Sequence, residues 1–215
     1  ISGNFTGYDG GGLYVGETGG PITVERTRIT NNTAYDDGGG VFMYWLGHET
    51  TFYKCTISGN TVTGSGTVGG GIYNYYGTMN VEHSTIAGNT ANSGSGIYSY
   101  GTVTVTNSLI GDNSGGSDCY GTLTSRGYNL VESGCTISGD TTGNITGQDP
   151  VLGPLQDNGG DTLTHALLPG SAAGDWLTAI GGILLGVVVY AAAGWALRSE
   201  ELALVWAMVR RRLRR

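Results

Sequence analysis

A chain of 215 residues with 41 Gly, 13% charged residues and a formal net charge of −7 is too acidic to track a nucleic-acid backbone and, without a Gly at every third place, is not collagen. The charge is uneven: up to Asp175 there are 15 acidic and 4 basic residues (net −11), and beyond it 2 acidic and 6 basic (net +4). Length allows one or two domains, and the basic end belongs to a membrane argument rather than to a nucleic-acid one.

The chain opens inside a repeat. Ile1-Ser2-Gly3-Asn4 followed by Gly10-Gly11-Gly12-Leu13-Tyr14 returns as Ile29-Thr30-Asn31-Asn32 with Gly38-Gly39-Gly40-Val41-Phe42. It returns again as Ile57-Ser58-Gly59-Asn60 with Gly69-Gly70-Gly71-Ile72-Tyr73, and as Ile86-Ala87-Gly88-Asn89 with Gly94-Ser95-Gly96-Ile97-Tyr98, before a weaker copy at Ile110-Gly111-Asp112-Asn113. A period of 24 to 29 residues is that of a solenoid with one structural unit per repeat. Each unit alternates Val, Ile, Thr and Tyr with turn residues, so the units are strands and turns, and a parallel β-helix follows, with coils stacked at about 4.8 Å.

Stacking explains which positions recur. Ile29, Ile57, Ile86 and Ile110, with Ile1 before and Ile137 after, are expected as one buried aliphatic ladder. Asn32, Asn60, Asn89 and Asn113, with Asn4 before and Asp140 in the sixth place, are expected at a stacked turn, where Asn tolerates left-handed angles and its amide bonds to the neighbouring coil. Val24, Phe52, Val81 and Val105 precede each Ile by five residues, and the small Thr27, Cys55, Ser84 and Ser108 precede it by two. The Gly triplets suit a turn where a Cβ would clash. Tyr14, Phe42, Tyr73, Tyr98 and Tyr120 form an aromatic row, read as a structural stack rather than a sugar platform. The insertion Met43 to His48 offers Tyr44, Trp45 and His48 as candidate ligand contacts; the alternative is that Trp45 covers the neighbouring coil. A solenoid end without a polar cap exposes strand edges, so a chain that starts at Ile1 is expected to be a processed or partial one.

From Ile110 the pattern changes, through Ser117-Asp118-Cys119-Tyr120-Gly121-Thr122-Leu123 and Gly127-Tyr128-Asn129-Leu130 to Cys135-Thr136-Ile137. Then come Asp149-Pro150-Val151-Leu152-Gly153-Pro154-Leu155-Gln156-Asp157-Asn158-Gly159-Gly160 and Thr162-Leu163-Thr164-His165-Ala166-Leu167-Leu168-Pro169-Gly170-Ser171. From about Ile86 to Ala173 this resembles bacterial surface proteins of the choice-of-anchor type, right-handed parallel β-helices akin to the polymorphic outer-membrane protein repeats; Asp149 to Ser171 is its most specific part. The resemblance implies export and surface display, not catalysis. It also implies a disulfide between Cys119 and Cys135, where such proteins often carry a Cys pair; three Cys otherwise give one pair and one odd residue, with Cys55 read as a buried thiol. Closing that loop stabilises by roughly 3 kcal/mol. Two departures stand out: Asp161 where Pro is usual, and Ala172-Ala173-Gly174-Asp175-Trp176 in place of the closing coil.

Trp176 to Leu197 carries 22 uncharged residues, long enough as a helix to cross about 30 Å of hydrocarbon. Within it Gly182-x-x-x-Gly186 is a helix-packing motif that would suit a transmembrane partner. Arg210, Arg211, Arg212, Arg214 and Arg215 keep the tail on the cytoplasmic side, and the stripe Leu202, Val205, Trp206, Val209 and Leu213 lays it against membrane lipid. This C-terminal piece also resembles the last membrane helix and tail of polytopic lipid-linked-saccharide flippases, which, with the abrupt change after Ala173, leaves a fusion or a misjoined reading frame as the alternatives to a native anchor.

Little in the sequence speaks for chemistry. Asp36-Asp37 is the only adjacent acidic pair before the membrane segment and has no match in the next coil. Lys54 is the only Lys, and His48, His83 and His165 lack metal-ligand spacing. The expected organisation is all-β: a right-handed parallel β-helix solenoid (1–136), a C-terminal extension of it (137–174), one C-terminal transmembrane α-helix (175–197) and a basic amphipathic cytoplasmic tail (198–215). The expected role is a single-pass bacterial cell-membrane protein with its β-helix outside, structural or adhesive, taking a surface glycan or protein ligand, without catalytic residues, metal or cofactor and without nucleic acid. The alternatives are an accessory subunit of a membrane complex held through Gly182 and Gly186, and a carbohydrate-active β-helix enzyme.

Overall fold

The computed structural model describes residues 1–17, 20–44, 47–159 and 162–173. The expected transmembrane helix with Gly182 and Gly186, the basic tail and Trp45 lie outside these residues. Among the described residues every named element is a short strand, and no helix is long and apolar enough to cross a membrane.

The strands stack in parallel into faces. An isoleucine sheet holds Arg28–Thr30, Thr56–Ser58, Thr85–Ala87, Leu109–Gly111, Leu130–Val131 and Ile145–Thr146. A long sheet holds Ile22–Glu25, Glu49–Tyr53, Thr78–Glu82, Thr102–Thr106, Thr122–Arg126 and Thr136–Asp140. An aromatic sheet holds Leu13–Val15, Val41–Met43, Ile72–Asn74, Ile97–Ser99 and Cys119–Tyr120, and a short sheet holds Phe5–Thr6, Thr33–Ala34 and Thr61–Val62. A parallel β-helix results because identical residues from successive coils fall on each other: Ile29 pairs with Ile57, Ile57 with Ile86, and Ile86 with Ile110.

The core is the inside of this tube. Ile29, Ile57, Ile86 and Ile110 point inward beside Phe52, Val81 and Val105 of the long sheet and Val41, Ile72 and Ile97 of the aromatic sheet, all buried. The tube tapers. From Ile57 to Ile86 one coil takes 29 residues; the next steps are 24 (to Ile110), 21 (to Val131) and 15 (to Thr146). Shortening moves two expected rungs. Val131, not Ile137, continues the isoleucine ladder, because Ile137 falls on Leu123 in the long sheet. The aromatic sheet ends at Cys119–Tyr120, and there the Cys119–Cys135 disulfide joins the fifth coil to the start of the last long-sheet strand, its Cα atoms 5.2 Å apart.

Polar ladders run inside both turns. The Asn4 main-chain N–H and side-chain amide both donate to Asn32 Oδ1, at 3.1 and 2.9 Å. The same pair of bonds links Asn32 to Asn60, Asn60 to Asn89 and Asn89 to Asn113. It ends with Asn113 donating twice to Asp118 Oδ1, at 2.9 and 3.0 Å. Asp118, not Asp140, is therefore the last member; a carboxylate only accepts, so it closes a chain of donors. The left-handed angle is not carried by the ladder Asn but by the residue before it: Gly3, Asn31, Gly59, Gly88 and Asp112. At the other turn Cys55, Ser84, Ser108 and Asn129 form a second ladder, each N–H donating to the next side chain: Ser84, Ser108, Asn129 and Asn144. The third Gly of each triplet has a packing reason: a Cβ on Gly40 would lie 2.6 Å from the Gly71 carbonyl oxygen.

After the last coil, Leu152–Gln156 and Thr164–Leu167 form an antiparallel hairpin. It lies back on the outer face of the isoleucine sheet, where Ser58 and Ala87 present small buried side chains. His165 bridges Ser58 Oγ and the Gly153 carbonyl, both at 2.8 Å, and Pro150 packs against Gly111.

Candidate ligand-binding face

The strands of the aromatic sheet alternate an inward aliphatic with an outward ring, as in Ile72-Tyr73-Asn74 and Ile97-Tyr98-Ser99. In-register pairing makes the outward residues one row. Ring centroids are 5.3 Å apart from Tyr14 to Phe42, 5.2 Å to Tyr73, 5.5 Å to Tyr98 and 4.4 Å to Tyr120. Offset and edge-on contacts of this kind add to the area they bury.

A second row covers the first. Asn74 closes the turn after its strand by accepting from Gly77 N–H at 2.7 Å and donating to Gly77 O at 3.0 Å, which sets Tyr75 and Tyr76 beside the row. Tyr100 is held likewise in the turn after Ser99, whose Oγ accepts from Gly101 N–H. Tyr44 stacks on Tyr75 at 5.7 Å, Tyr75 meets Tyr76 at 4.4 Å, and Tyr100 meets Tyr98 at 5.2 Å with their hydroxyls 2.9 Å apart. Phe42, Tyr73 and Tyr98 are thereby buried, while Tyr76 (53% exposed), Tyr100 (52%) and Tyr44 (42%) face solvent. The first row is a structural stack at its centre, and the second row gives the face an open aromatic surface.

Carboxylates border the face. The Asp37 main-chain N–H donates to Asp9 Oδ1 at 3.0 Å, and Asp37 Oδ1 accepts from Val68 N–H at 2.8 Å. Burial, followed by the charges of Asp9 and Asp36, pushes the Asp37 carboxyl above its ordinary value, partly offset by the Val68 N–H. Burial does the same for Asp9 against the opposing Asp37 N–H, with Asp36 adding to the rise. Tyr73 is raised by burial first and then by the Asp37 charge, so it stays neutral through the physiological range.

Of the residues singled out in the sequence, Tyr44 joins the face, and His48 is exposed in the turn entering the long sheet. Asp37 does stack on an equivalent residue, but in the preceding coil: Asp9. That pairing was legible, since Asp9-Gly10 and Asp37-Gly38 each open a Gly triplet. Tyr75, Tyr76 and Tyr100 were not singled out; their signal is a Tyr just past the strand, outside the repeat motif. Among the described residues no three His, Cys, Asp or Glu side chains cluster to hold a metal ion.

A family model described as right-handed β-helix region matches residues 2–144. No curated protein and no solved structure matches the chain.

Proposed function

The chain belongs to the right-handed β-helix family, and from that premise we propose that it is a bacterial surface protein with a structural or adhesive role, held in the membrane by residues 175–197 and contacting a glycan or protein ligand through its tyrosine face. The observation that carries the adhesive reading is the double row of rings. Tyr44, Tyr76 and Tyr100 are exposed, yet backed by the buried Phe42, Tyr73 and Tyr98. Rings with few rotatable bonds on a stiff backing lose little entropy when a ligand covers them, and their π-faces suit the apolar faces of sugar rings. The acidic border Asp9, Asp36 and Asp37 disfavours anionic ligands.

The surface reading draws on the Arg cluster Arg210 to Arg215, which marks the cytoplasmic side, and on the Cys119–Cys135 disulfide, which persists in an oxidising compartment. Two measurements test the proposal. Protease added to intact cells is expected to remove the β-helix and leave a small membrane-held fragment containing Trp206; survival of the β-helix with loss of the Arg-rich tail reverses the orientation. Tyr76→Ala with Tyr100→Ala is expected to lower retention on a panel of neutral glycans at least tenfold in a variant whose circular dichroism still reads the folded β-helix. Equal retention by parent and variant removes the face from the reading.

A second reading, a carbohydrate-active enzyme, has one observation in its favour. Asp9 and Asp37 are stacked carboxyls with raised pKa, Asp37 close enough to Tyr73 of the tyrosine face to act on it by charge, a combination that suits a general acid. Turnover in a sugar-hydrolysis screen that Asp37→Asn abolishes selects this reading over adhesion.

A further inference from the structure

The corner between the long sheet and the isoleucine sheet changes in one coil. It takes four steps from Phe52 to Thr56, from Val81 to Thr85 and from Val105 to Leu109, all in register. In the next coil Val105 pairs with Ser125 and Leu109 with Leu130, so the corner takes five. That coil is the shorter one, 21 residues against 24, yet here it has gained a residue. Two consecutive left-handed residues, Gly127 (φ 91°) and Tyr128 (φ 58°), stand where the earlier coils have one, His83 (φ 50°) or Asn107 (φ 46°). A residue as bulky as Tyr is an outlier at such an angle, and strain of this kind collects where a side chain has a task. The Tyr128 ring is not spent on the core: it is 63% exposed. It rests on Gly143, where a Cβ would come within 2.5 Å of a ring carbon.

Tyr128 borders a groove of about 220 Å³ that also takes in His83, Asn107, Leu109, Leu130 and Ile145. Leu109, Leu130 and Ile145 pair in register as one column of the isoleucine sheet, so the groove has aliphatic surface in a row. Among the described residues the Asn107 amide and the His83 ring nitrogens make no hydrogen bond within the protein; the His83 ring meets the Tyr53 ring edge-on at 5.6 Å. Three features narrow the ligand. First, the described lining holds no Asp, Glu, Lys or Arg, in a region whose net charge is −11, so a charged ligand finds no counter-ion. Second, it joins an exposed ring and aliphatic side chains to an amide and an imidazole. A ligand therefore needs an apolar face together with groups that donate and accept, because a purely apolar one would take Asn107 and His83 out of water unpaired. Third, its volume falls below the roughly 300 Å³ at which sites for drug-sized ligands begin, so it takes one ring rather than a chain.

We infer that this corner groove binds a single neutral pyranose ring, stacked on Tyr128 and hydrogen-bonded through Asn107 and His83. A pyranose offers C–H groups on its face to an aromatic ring, and hydroxyls that both donate and accept to an amide and an imidazole. A nucleobase also stacks on a ring, but its donors and acceptors are fixed, and one amide with one imidazole meets them only in part; sugar hydroxyls rotate to suit either. The groove lies on a different sheet from the tyrosine face, so the inference stands without the glycan reading of that face.

Ala173, the last described residue, also borders the groove, so the purified full chain is the protein to test. One ring over a single tyrosine binds too weakly to hold a protein on a solid panel, so binding is read in solution by saturation-transfer NMR, in a detergent free of sugar. The Tyr76→Ala/Tyr100→Ala chain serves as parent, which takes two exposed rings of the tyrosine face out of the signal. Saturation is expected on the ring C–H protons of at least one of methyl glucoside, methyl galactoside and methyl mannoside. It is expected to fall about fivefold in Tyr128→Gly, the worth of one stacked ring. Gly suits a φ of 58° better than Tyr, so that variant is expected to melt no lower than its parent. Asn107→Gly, likewise at a left-handed position, is expected to weaken the signal and decides the matter if Tyr128→Gly unfolds the corner. The inference is overturned if none of the three sugars is saturated, or if a folded Tyr128→Gly, or Asn107→Gly in its place, keeps the full signal. It is likewise overturned if adenosine, and no sugar, is saturated through Tyr128.

Discussion

Asn60 shows how one side chain serves three coils. Its Oδ1 accepts from the Asn32 N–H and amide, and its Nδ2 donates to Asn89 Oδ1 and to the Ile29 carbonyl. All four bonds are buried, so Asn60→Ala strands donors on one side and acceptors on the other. A cost of about 3 kcal/mol is expected, at the upper end for unpaired buried groups. Asn60→Asp keeps the acceptor but sets a carboxylate oxygen against Asn89 Oδ1 and Ile29 O, so it should cost more than Ala. Asp118→Asn should cost less than either, because its second oxygen meets only the Ser133 hydroxyl, which can turn to accept. Urea melts of the three variants check the order, and Asn60→Asp as stable as the parent contradicts the directional ladder. The period of Asn was legible in the sequence; its terminator was not. Asp118 follows Asn113 by only five residues, inside a coil that has lost part of its length, so counting one more period pointed to Asp140 instead. That Asp is exposed, with its carboxyl lowered by the N–H and hydroxyl of Thr142.

Among elements, the sheets that repeat a full period were readable and the places where the coil shortens were not. Ile29, Ile57 and Ile86 keep near-constant spacing because every coil there supplies all its turns. The short sheet ends as strands at Thr61–Val62 and continues only as the single bridges Thr61–Thr90 and Thr90–Ser114, and the aromatic sheet ends at Cys119–Tyr120, so past Ile110 spacing loses its meaning. The hairpin was invisible for a different reason. Its docking depends on the small outward Ser58 and Ala87, far away in sequence from His165, and small residues in a strand carry no signal of what covers them. Where the aromatic strand is missing, the Cys119–Cys135 bond holds the fifth coil to the sixth. Its separation of 16 residues implies that reduction lowers stability by about 3 kcal/mol. Calorimetry with and without reductant checks this, and an unchanged transition argues against a structural role. Cys55 is buried, with its thiol pushed up by burial first, so alkylation should reach it only after unfolding. The two tyrosine rows also separate by stability. Tyr73→Ala opens a cavity in a buried stack and should cost about 3 kcal/mol, whereas Tyr76→Ala should stay within about 0.5 kcal/mol of the parent. Equal losses from both would mean that the second row is part of the core rather than an open surface.

For the molecule as a whole, the balance of charge predicts a fold that prefers mild acid. Burial, ahead of every other cause, raises the carboxyls of Asp9, Asp37 and Asp112 above 3.8 and that of Glu132 above 4.5. An acid of this kind holds its proton in the folded chain after the unfolded chain has released it. Its contribution to stability is therefore complete below the ordinary value and is lost as pH rises through the folded value. Asp140 has the opposite sign, adding stability above 3.8 that is lost as pH falls through its lowered value, but among the described residues it stands alone and exposed against four partly buried groups. Repulsion within the −11 region adds to the same trend, since it grows as the carboxyls ionise. The melting temperature should accordingly be higher near about pH 4 than near about pH 7. The paired change Asp9→Asn/Asp37→Asn keeps side-chain acceptors for the Asp37 and Val68 N–H groups while removing both charges. It should raise the melting temperature at neutral pH and flatten the profile, leaving the residual slope to Asp112 and Glu132. A parent that loses stability on acidification to about pH 4, with the double variant tracking it, would show that these carboxyls are favourably ionised in the fold and that the acidic border stabilises the rod instead of straining it.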